Sequence, residues 1–361
     1  MFKRTQTRAL KVGKLAVGGG APVSVQTMCN VDPHDAEACL RQLLACAERG
    51  CDLFRMTVPD ADAARVLGEV RRDSPIPIVA DVHFDYRCAL AAIEAGCDAI
   101  RLNPGNIGGR ERVAVVAAAA KAHGLPIRVG VNGGSLEKDL AEAVRTGAST
   151  LPDALCRSAM RSLESLEGVG FRDVVISAKA SNAADTIATY RLLAERTDCP
   201  LHLGVTEAGT LIPGATRSAV ALGILLDEGI GDTIRVSLTN KPEKEVKVGL
   251  EILRALGLRA AGPSIVSCPT CGRTKVDLLR VAAQVEDSLE CLAADRSNAP
   301  NPFPRVAVMG CAVNGIGEAD GADIALCGGE GEFLLYVRGE FREKVAERDA
   351  VRKVLEHVLS F

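Results

Sequence analysis

Tryptophan is absent from this 361-residue chain, and aromatic residues make up only 3% of it. Single-stranded nucleic acid is held largely by stacking bases on aromatic rings, and there is little here to stack on. An excess of charge of one sign is also missing. Forty-three basic residues against 46 acidic leave a net charge of −3 and a pI near 6.0, so no whole-surface field attracts a polyanion. No nucleic-acid partner is expected. No apolar run approaches the ~20 residues that a membrane span needs. The N-terminal stretch MFKRTQTRALKVGKLAVGGG is basic and free of acids, as transit peptides are, but it lacks an apolar h-region and a cleavage site. Its ALKV-GK-LAV segment reads as a small hairpin. A cytoplasmic protein without membrane association is expected.

What is present is core-forming material: 47% hydrophobic residues with 25% charged, enough to bury a sizeable interior. The thirteen cysteines are odd in number and follow no secretion signal. They do not read as a disulfide framework; each is a buried small hydrophobe or a metal ligand. Cys39, Cys46, Cys51, Cys88, Cys97, Cys156 and Cys199 stand singly in helical or helix-end segments and read as core.

The first ~255 residues repeat one pattern, a short β-rich run followed by an Ala/Leu/Glu/Arg helix. The runs are VSVQTM from Val23, DLFRMTV from Asp52, PIVADV from Pro77, AIRLN from Ala99, PIRVGVN from Pro126, VVISAKA from Val174, LHLGVTEA from Leu201 and TIRVSLT from Thr233. Helical spacing separates them, and Gly50, Gly96, Gly124 and Gly229 sit where helices should end. Eight such units predict parallel pairing and a closed (β/α)8 TIM-type barrel over residues 1–257. No G-x-G-x-x-G follows the first strand, which leaves a Rossmann sheet little support. GLRAAGPS opens a linker over 258–267. Residues 268–361 mix one helical run with the strand-like PRVAVMG, ADIALCGG and EFLLYVRG, predicting a small α+β domain.

Parallel strands covered on both faces should be continuously apolar. Five of these carry a basic residue instead: Arg55, Arg101, Arg128, Lys179 and Arg235. A buried cation costs several kcal/mol unless paired, and few carboxylates, Asp81 and Glu207 among them, are available. In a barrel all five converge near the carboxyl-terminal mouth, where such barrels place their sites. A multiply charged anion of diphosphate size answers that charge, and Arg suits phosphate through its fork of donors. His83, Asn103, Asn132 and Ser237 lie at the same strand ends. Asn103-Pro104-Gly105-Asn106-Ile107-Gly108 forms a loop able to offer backbone N–H groups. Glu207 is a candidate general acid, since a carboxyl beside an apolar wall can have a raised pKa.

The second domain opens on a C-x-x-C knuckle, Cys268-Pro269-Thr270-Cys271-Gly272, and Cys311 follows in MGCAVNGIGEAD. A zinc ribbon would want a second knuckle, and none exists. Three thiolates and a weaker ligand suit a [4Fe–4S] cluster with one distinctive iron. Glu318 can supply the weaker oxygen ligand, which a substrate could displace; Cys327 is the rival fourth ligand. Spacing alone leaves iron–sulfur and zinc both open.

SCPTCGR, VAVMGCAVNGIGEAD and the strand set FRMTVP, DVHFD, IRLNPGNIG, RVGVN, AKAS, GVTEAG and IRVSLT together resemble the 4-hydroxy-3-methylbut-2-enyl diphosphate synthase family of the methylerythritol phosphate isoprenoid pathway. The likeness spans essentially the whole chain and is of the compact bacterial type. One departure is Ile316, where the family usually has Pro in N-G-P-G-E. The resemblance implies reductive opening of 2-C-methyl-D-erythritol 2,4-cyclodiphosphate with loss of a hydroxyl, two electrons arriving one at a time. It implies Cys268, Cys271, Cys311 and Glu318 as ligands of a [4Fe–4S] cluster. Arg55, Arg101, Arg128, Lys179, Arg235 and Ser237 would grip the diphosphate, with Asn132, Asp81 and His83 nearby and Glu207 protonating the departing hydroxyl. Reduced flavodoxin or ferredoxin is the implied electron donor. The competing reading is a non-redox phosphate-sugar barrel enzyme, an aldolase or isomerase, with a structural zinc domain. A linker of about ten residues spans at most ~35 Å, too little to carry the cysteine domain from the barrel's foot to its own mouth. A two-fold head-to-tail homodimer is therefore expected, as the resemblance also implies.

Overall fold

A computed structural model describes residues 6–259, 262–294, 302–312, 317 and 319–361. The chain divides into two compact units, 1–259 and 260–361. The first begins with the expected hairpin, β1 (Leu10–Val12) antiparallel to β2 (Leu15–Val17), turning through Gly13 at φ 57. Val12 and Val17 pack on Leu53, Val79 and Ala99, at the starts of three barrel strands, so the hairpin plugs the barrel's foot.

The barrel strands are β3 (Ser24–Met28), β4 (Leu53–Thr57), β5 (Ile78–Asp81), β6 (Ala99–Leu102), β7 (Ile127–Asn132), β8 (Val174–Lys179), β9 (His202–Leu203) and β10 (Thr233–Ile234). Every pairing among them is parallel, in the order β8-β7-β6-β5-β4-β3-β10-β9. A bridge from Ile176 to Leu201 joins the two outer strands and closes the ring. The expected (β/α)8 architecture is thus observed. Its last two strands are shorter than their apolar runs: a Cβ on Gly204 would lie 2.5 Å from the Arg235 carbonyl oxygen, so the chain leaves regular pairing where the two backbones crowd.

One device recurs at the foot. An aspartate in the turn before a strand accepts an N–H at or beside the start of a neighbour: Asp52 from Val25, Asp98 from Ile78 and Asp232 from Leu201, at 2.8–2.9 Å. Each satisfies a donor that the ladder leaves over. Arg259, the last residue of the unit, grips Asp52 through both terminal nitrogens at 2.8 Å. The sequence's repeated Gly-Cys-Asp (50–52 and 96–98) is this turn, with Cys51 and Cys97 buried beneath it.

The second unit is a five-stranded sheet: β11 (Ser264–Ser267), β12 (Arg305–Met309), β13 (Ile324–Gly328), β14 (Glu332–Val337) and β15 (Glu340–Ala346), in that order. The first three strands are parallel and the last two antiparallel. Helices Leu278–Ala294 and Ala350–Leu359 cover one face through Val281, Val285, Val354 and Val358 against Val306, Val308, Ile324 and Leu326. The linker boundary needs correction. Residues 264–267, read as its end, are the first strand of this sheet, because Ser264–Ser267 finds a parallel partner in 305–308. Among the described residues no helix is long and apolar enough to cross a membrane.

Candidate functional site

Strand register dictates the mouth of the barrel. Asp81 lies beside Arg101, Arg101 beside Arg128, and Asn132 beside Lys179; residues level in adjacent strands share a face, here the interior. Asp81, almost completely buried, takes Arg101 Nη1 at 3.2 Å, His83 Nε2 at 3.3 Å and Arg55 Nε at 3.6 Å. Burial works to raise its carboxyl, but Arg55, His83 and Arg101 outweigh that and hold it well below the usual carboxylate range. Arg101 also donates to the Gly130 carbonyl at 3.1 Å. A Cβ on Gly130 would lie 2.1 Å from Arg101 Nε, so the glycine makes room for the guanidinium to lie across β7.

On the other side, Arg235 Nε and Nη2 meet the two oxygens of Glu245 at 3.1 Å each. Glu245 stands in the first turns of helix Pro242–Ala255 and is 3% exposed. It also accepts from Thr27 Oγ1 at 2.8 Å and Leu238 N at 2.9 Å. Four donors on one buried carboxylate fix the Arg235 fork and the chain leaving β10 as a single piece. Met28 Sδ bridges the halves, accepting from Arg55 Nη2 at 2.6 Å and Arg235 Nη1 at 3.5 Å.

Two cations remain without a carboxylate among the described residues. Arg128, 6% exposed, donates through Nη1 to Gln26 Oε1, while its Nε and Nη2 have no partner. Burial first, then Arg55 and Arg101, pushes its pKa well down. Lys179 is pushed well down as well, by burial and then by Arg235 and Arg55. Arg55 is depressed to about 10, mainly by burial. Five cations against Asp81 and Glu245 leave three positive charges uncompensated in a poorly solvated cup, an arrangement that calls for an anion of matching charge. His202, fully buried with Nδ1 on Thr233 Oγ1, is held neutral by burial and then by Arg128 and Lys179.

The other sequence-derived residues fall as follows. Asn103 is buried and its Oδ1 accepts Gly105 N–H at 3.0 Å, so it builds the loop it begins. Asn132, the last residue of β7, and Ser237, three residues past β10, are half-buried. Glu207 lies beyond β9, solvent-exposed and at φ 53, a left-handed backbone that a non-glycine residue adopts at a cost. Glu245 and Gln26 were missed by sequence reasoning. The cue for Glu245 was slight, one acid among the charges of PEKEVK, spaced ten residues from Arg235.

In the second unit the parallel strands bring thiols together. Cys268 follows β11, Cys311 follows β12 and Cys327 lies within β13 level with Met309. Cys268 Sγ accepts the Gly310 N–H at 3.2 Å. Burial, then the nearness of Cys311 and Cys268, raises the Cys327 thiol to about 11. Cys271 is exposed, and the backbone N–H of Arg273 leads the influences lowering its thiol. Glu318 and Ile316 lie outside the described residues. Among the described residues no three His, Cys, Asp or Glu side chains stand as a ready-made ion site. The donor set nevertheless fits an iron–sulfur cluster: soft thiolates with a backbone N–H on sulfur.

Comparison with known proteins agrees with this division. A family model described as the GcpE TIM-barrel domain matches residues 7–250, and one described as the GcpE protein C-terminal domain matches 264–360. A relative from Desulfotalea psychrophila is 50% identical over 98% of this chain and 95% of its own length; one from Geobacter sulfurreducens is 51% identical over 98% of both. Both are named 4-hydroxy-3-methylbut-2-en-1-yl diphosphate synthase (flavodoxin). Among solved structures, Yersinia pestis dihydropteroate synthase aligns with 69% of this chain and 98% of its own at a TM-score of 0.51 and 15% identity. A phospho-2-dehydro-3-deoxyheptonate aldolase from Thermotoga maritima aligns with 70% of this chain and 72% of its own at a TM-score of 0.51 and 10% identity. These two share the barrel fold alone. Matched over nearly its whole length by both domain models, the chain belongs to the GcpE family.

Proposed function

We propose that the protein is an oxidoreductase of isoprenoid precursor biosynthesis, converting 2-C-methyl-D-erythritol 2,4-cyclodiphosphate to 4-hydroxy-3-methylbut-2-enyl diphosphate. The observation that carries the reading is the barrel mouth, where among the described residues five cations meet two carboxylates. In this reading Arg55, Arg101, Arg128, Lys179 and Arg235, with Ser237, hold the diphosphate. Asp81 and Glu245 fix the guanidiniums so that little reorganisation accompanies binding. Two electrons enter, a ring C–O bond to phosphate and a C–OH bond break, and the hydroxyl leaves as water. Uncompensated positive charge favours the phosphate oxygen released as the ring opens, and Glu207 delivers a proton to the departing hydroxyl. Cys268, Cys271, Cys311 and Glu318 would hold a [4Fe–4S] cluster, which when bound supplies low-potential electrons that no side chain can. The relatives' names support a reduced flavodoxin as donor, and the short linker supports a head-to-tail homodimer.

Calorimetry with inorganic pyrophosphate tests the grip. Arg235→Met should weaken binding by about 2–5 kcal/mol, and Glu245→Gln, which leaves Arg235 unclamped, by ~1–2 kcal/mol. Wild-type affinity in Arg235→Met would remove the anion site.

For Glu207→Gln, we expect intact metal content and pyrophosphate binding with turnover lower by ~10²–10⁴. Normal turnover would transfer the proton to another group.

Iron and sulfide analysis of anaerobically prepared protein should find both, with a broad brown band near ~400 nm. Serine at Cys268, Cys271 or Cys311 should abolish them, and serine at Cys291 or Cys327 should not. Zinc in place of iron would favour the non-redox reading. Iron lost in Cys327→Ser but kept in Glu318→Ala would make Cys327 the fourth ligand.

Subunit mixing tests the dimer. Arg55→Ala and Cys268→Ser proteins, each inactive alone, should on exchange recover roughly a quarter of wild-type activity, because half the dimers hold one intact pair of units. No recovery despite demonstrated exchange would place both units of a site on one chain.

A further inference from the structure

Among the described residues, the cysteine-rich barrel core brings one pair of thiols into direct contact. Cys29 directly follows β3 at the mouth of the barrel, and Cys39 stands in the first turn of helix Ala36–Glu48. Their sulfurs are 3.7 Å apart, in van der Waals contact. Cys39 is fully buried, whereas Cys29 is only partly so, which makes Cys29 the partner nearer to solvent. The contact with Cys39, against burial and helped by the Val31 N–H, holds the Cys29 thiol below its ordinary range, which favours the nucleophilic thiolate. Two hydrogen bonds tie the segment after Cys29 to the helix and keep the sulfurs aligned: Asn30 N to Gln42 Oε1 at 2.9 Å and Gln42 Nε2 to Asn30 Oδ1 at 2.7 Å. Asn30, Asp32 and His34 are exposed, and a bonded pair needs the two sulfurs to close by roughly 1.7 Å.

The pair also touches the anion grip. The Cys29 backbone N–H donates to the Arg55 carbonyl at 2.8 Å. The preceding residue, Met28, holds Arg55 Nη2 and Arg235 Nη1 through its sulfur. Drawing Cys29 toward the helix moves the residue on which both guanidiniums rest.

We propose that Cys29 and Cys39 form a reversible thiol–disulfide couple, a modification site whose oxidised form loosens the anion grip at Arg55. Cys39 is then more than the core hydrophobe its helical position suggests. The link to the grip rests on the diphosphate-binding reading above; the couple itself does not. A small disulfide is the oxidant. The Cys29 thiolate attacks one of its sulfurs and releases a thiolate, giving a mixed disulfide. Cys39 then attacks the Cys29 sulfur and expels the second thiol. The two cysteines lose two electrons, the small disulfide gains them, and the two cysteine protons end on the released thiols.

The experiment uses anaerobic holoenzyme treated with glutathione disulfide, followed by iodoacetamide. Trypsin releases residues 15–41 as one peptide holding Cys29, Cys39 and no other cysteine. After oxidation this peptide should be unalkylated and about 2 Da lighter than its dithiol form, and dithiothreitol should restore two alkylatable thiols. Pyrophosphate affinity should fall about five-fold on oxidation and recover on reduction. Cys29→Ser, or Cys29→Ala if that protein does not fold, cannot form the first mixed disulfide and should keep its affinity through the same treatment, which separates the couple from damage elsewhere; Cys39→Ala should stop at a glutathione adduct on residue 29. Two alkylated thiols, a persisting glutathione adduct, or equal affinity in both redox forms would overturn the proposal. Failure of the reduced protein to bind pyrophosphate at all would count against the diphosphate reading, while the peptide mass would still decide the couple.

Discussion

Everything at the barrel mouth depends on keeping like charges together in a place with little water. At an effective dielectric near 20, two cations 6 Å apart repel by roughly 3 kcal/mol, and five are gathered here. Asp81 and Glu245 make the gathering tolerable in different ways. Asp81 sits between Arg55 and Arg101 and neutralises the β4–β6 side. Glu245 saturates itself with Arg235, Thr27 and the Leu238 N–H and locks the β10 side. Neither reaches Arg128 or Lys179, which keep the charge that an anion would find. The cup is held open by pairs that stop short of neutrality.

Rigidity follows from the same arrangement. Arg101 lies in the space that a side chain on Gly130 would take, and Lys179 lies in the space over Gly204, whose Cβ would approach its Nζ to 2.6 Å. Both glycines are in the barrel wall, and each is the surface on which a cation rests. The foot is stiffened by a separate set of charges, the aspartates that accept strand N–H groups, with Arg259 on Asp52. The unit therefore places stabilising ion pairs at one end and uncompensated charge at the other, the division of labour usual between the two faces of such barrels.

Local signals carried the fold and part of the site. Eight apolar runs at regular spacing gave the barrel, since strand and helix periods are written in neighbouring residues. The cations were legible because charge interrupts those runs, and the cysteine knuckle because its spacing is short. Pairings across the chain were not legible. Gln26 meets Arg128 from 102 residues away, and Glu245 meets Thr27 from 218. In sequence Glu245 is one more charge on a helix that elsewhere carries charge to solvent. The strand at 264–267 was hidden because its partner lies forty residues on, and Glu207 because exposure is a property of the fold around a loop.

Both units use the carboxyl ends of parallel strands, yet they gather opposite chemistry there. The barrel collects hard cations, and the smaller sheet collects soft thiols at Cys268, Cys311 and Cys327. A thiolate set inside the barrel mouth would neutralise the positive charge gathered there. Arginines around the thiols would lower their basicity and weaken their hold on a metal. Two groups that each spoil the other's electrostatics are best built on separate folds, and a chain that needs both must carry two cores. The second sheet has packing of its own: helices on one face, and an apolar cluster of Ala307, Met309, Ala325 and Cys327 on the other. On the proposed reading, the division of this chain at residue 259 serves its chemistry as much as its length.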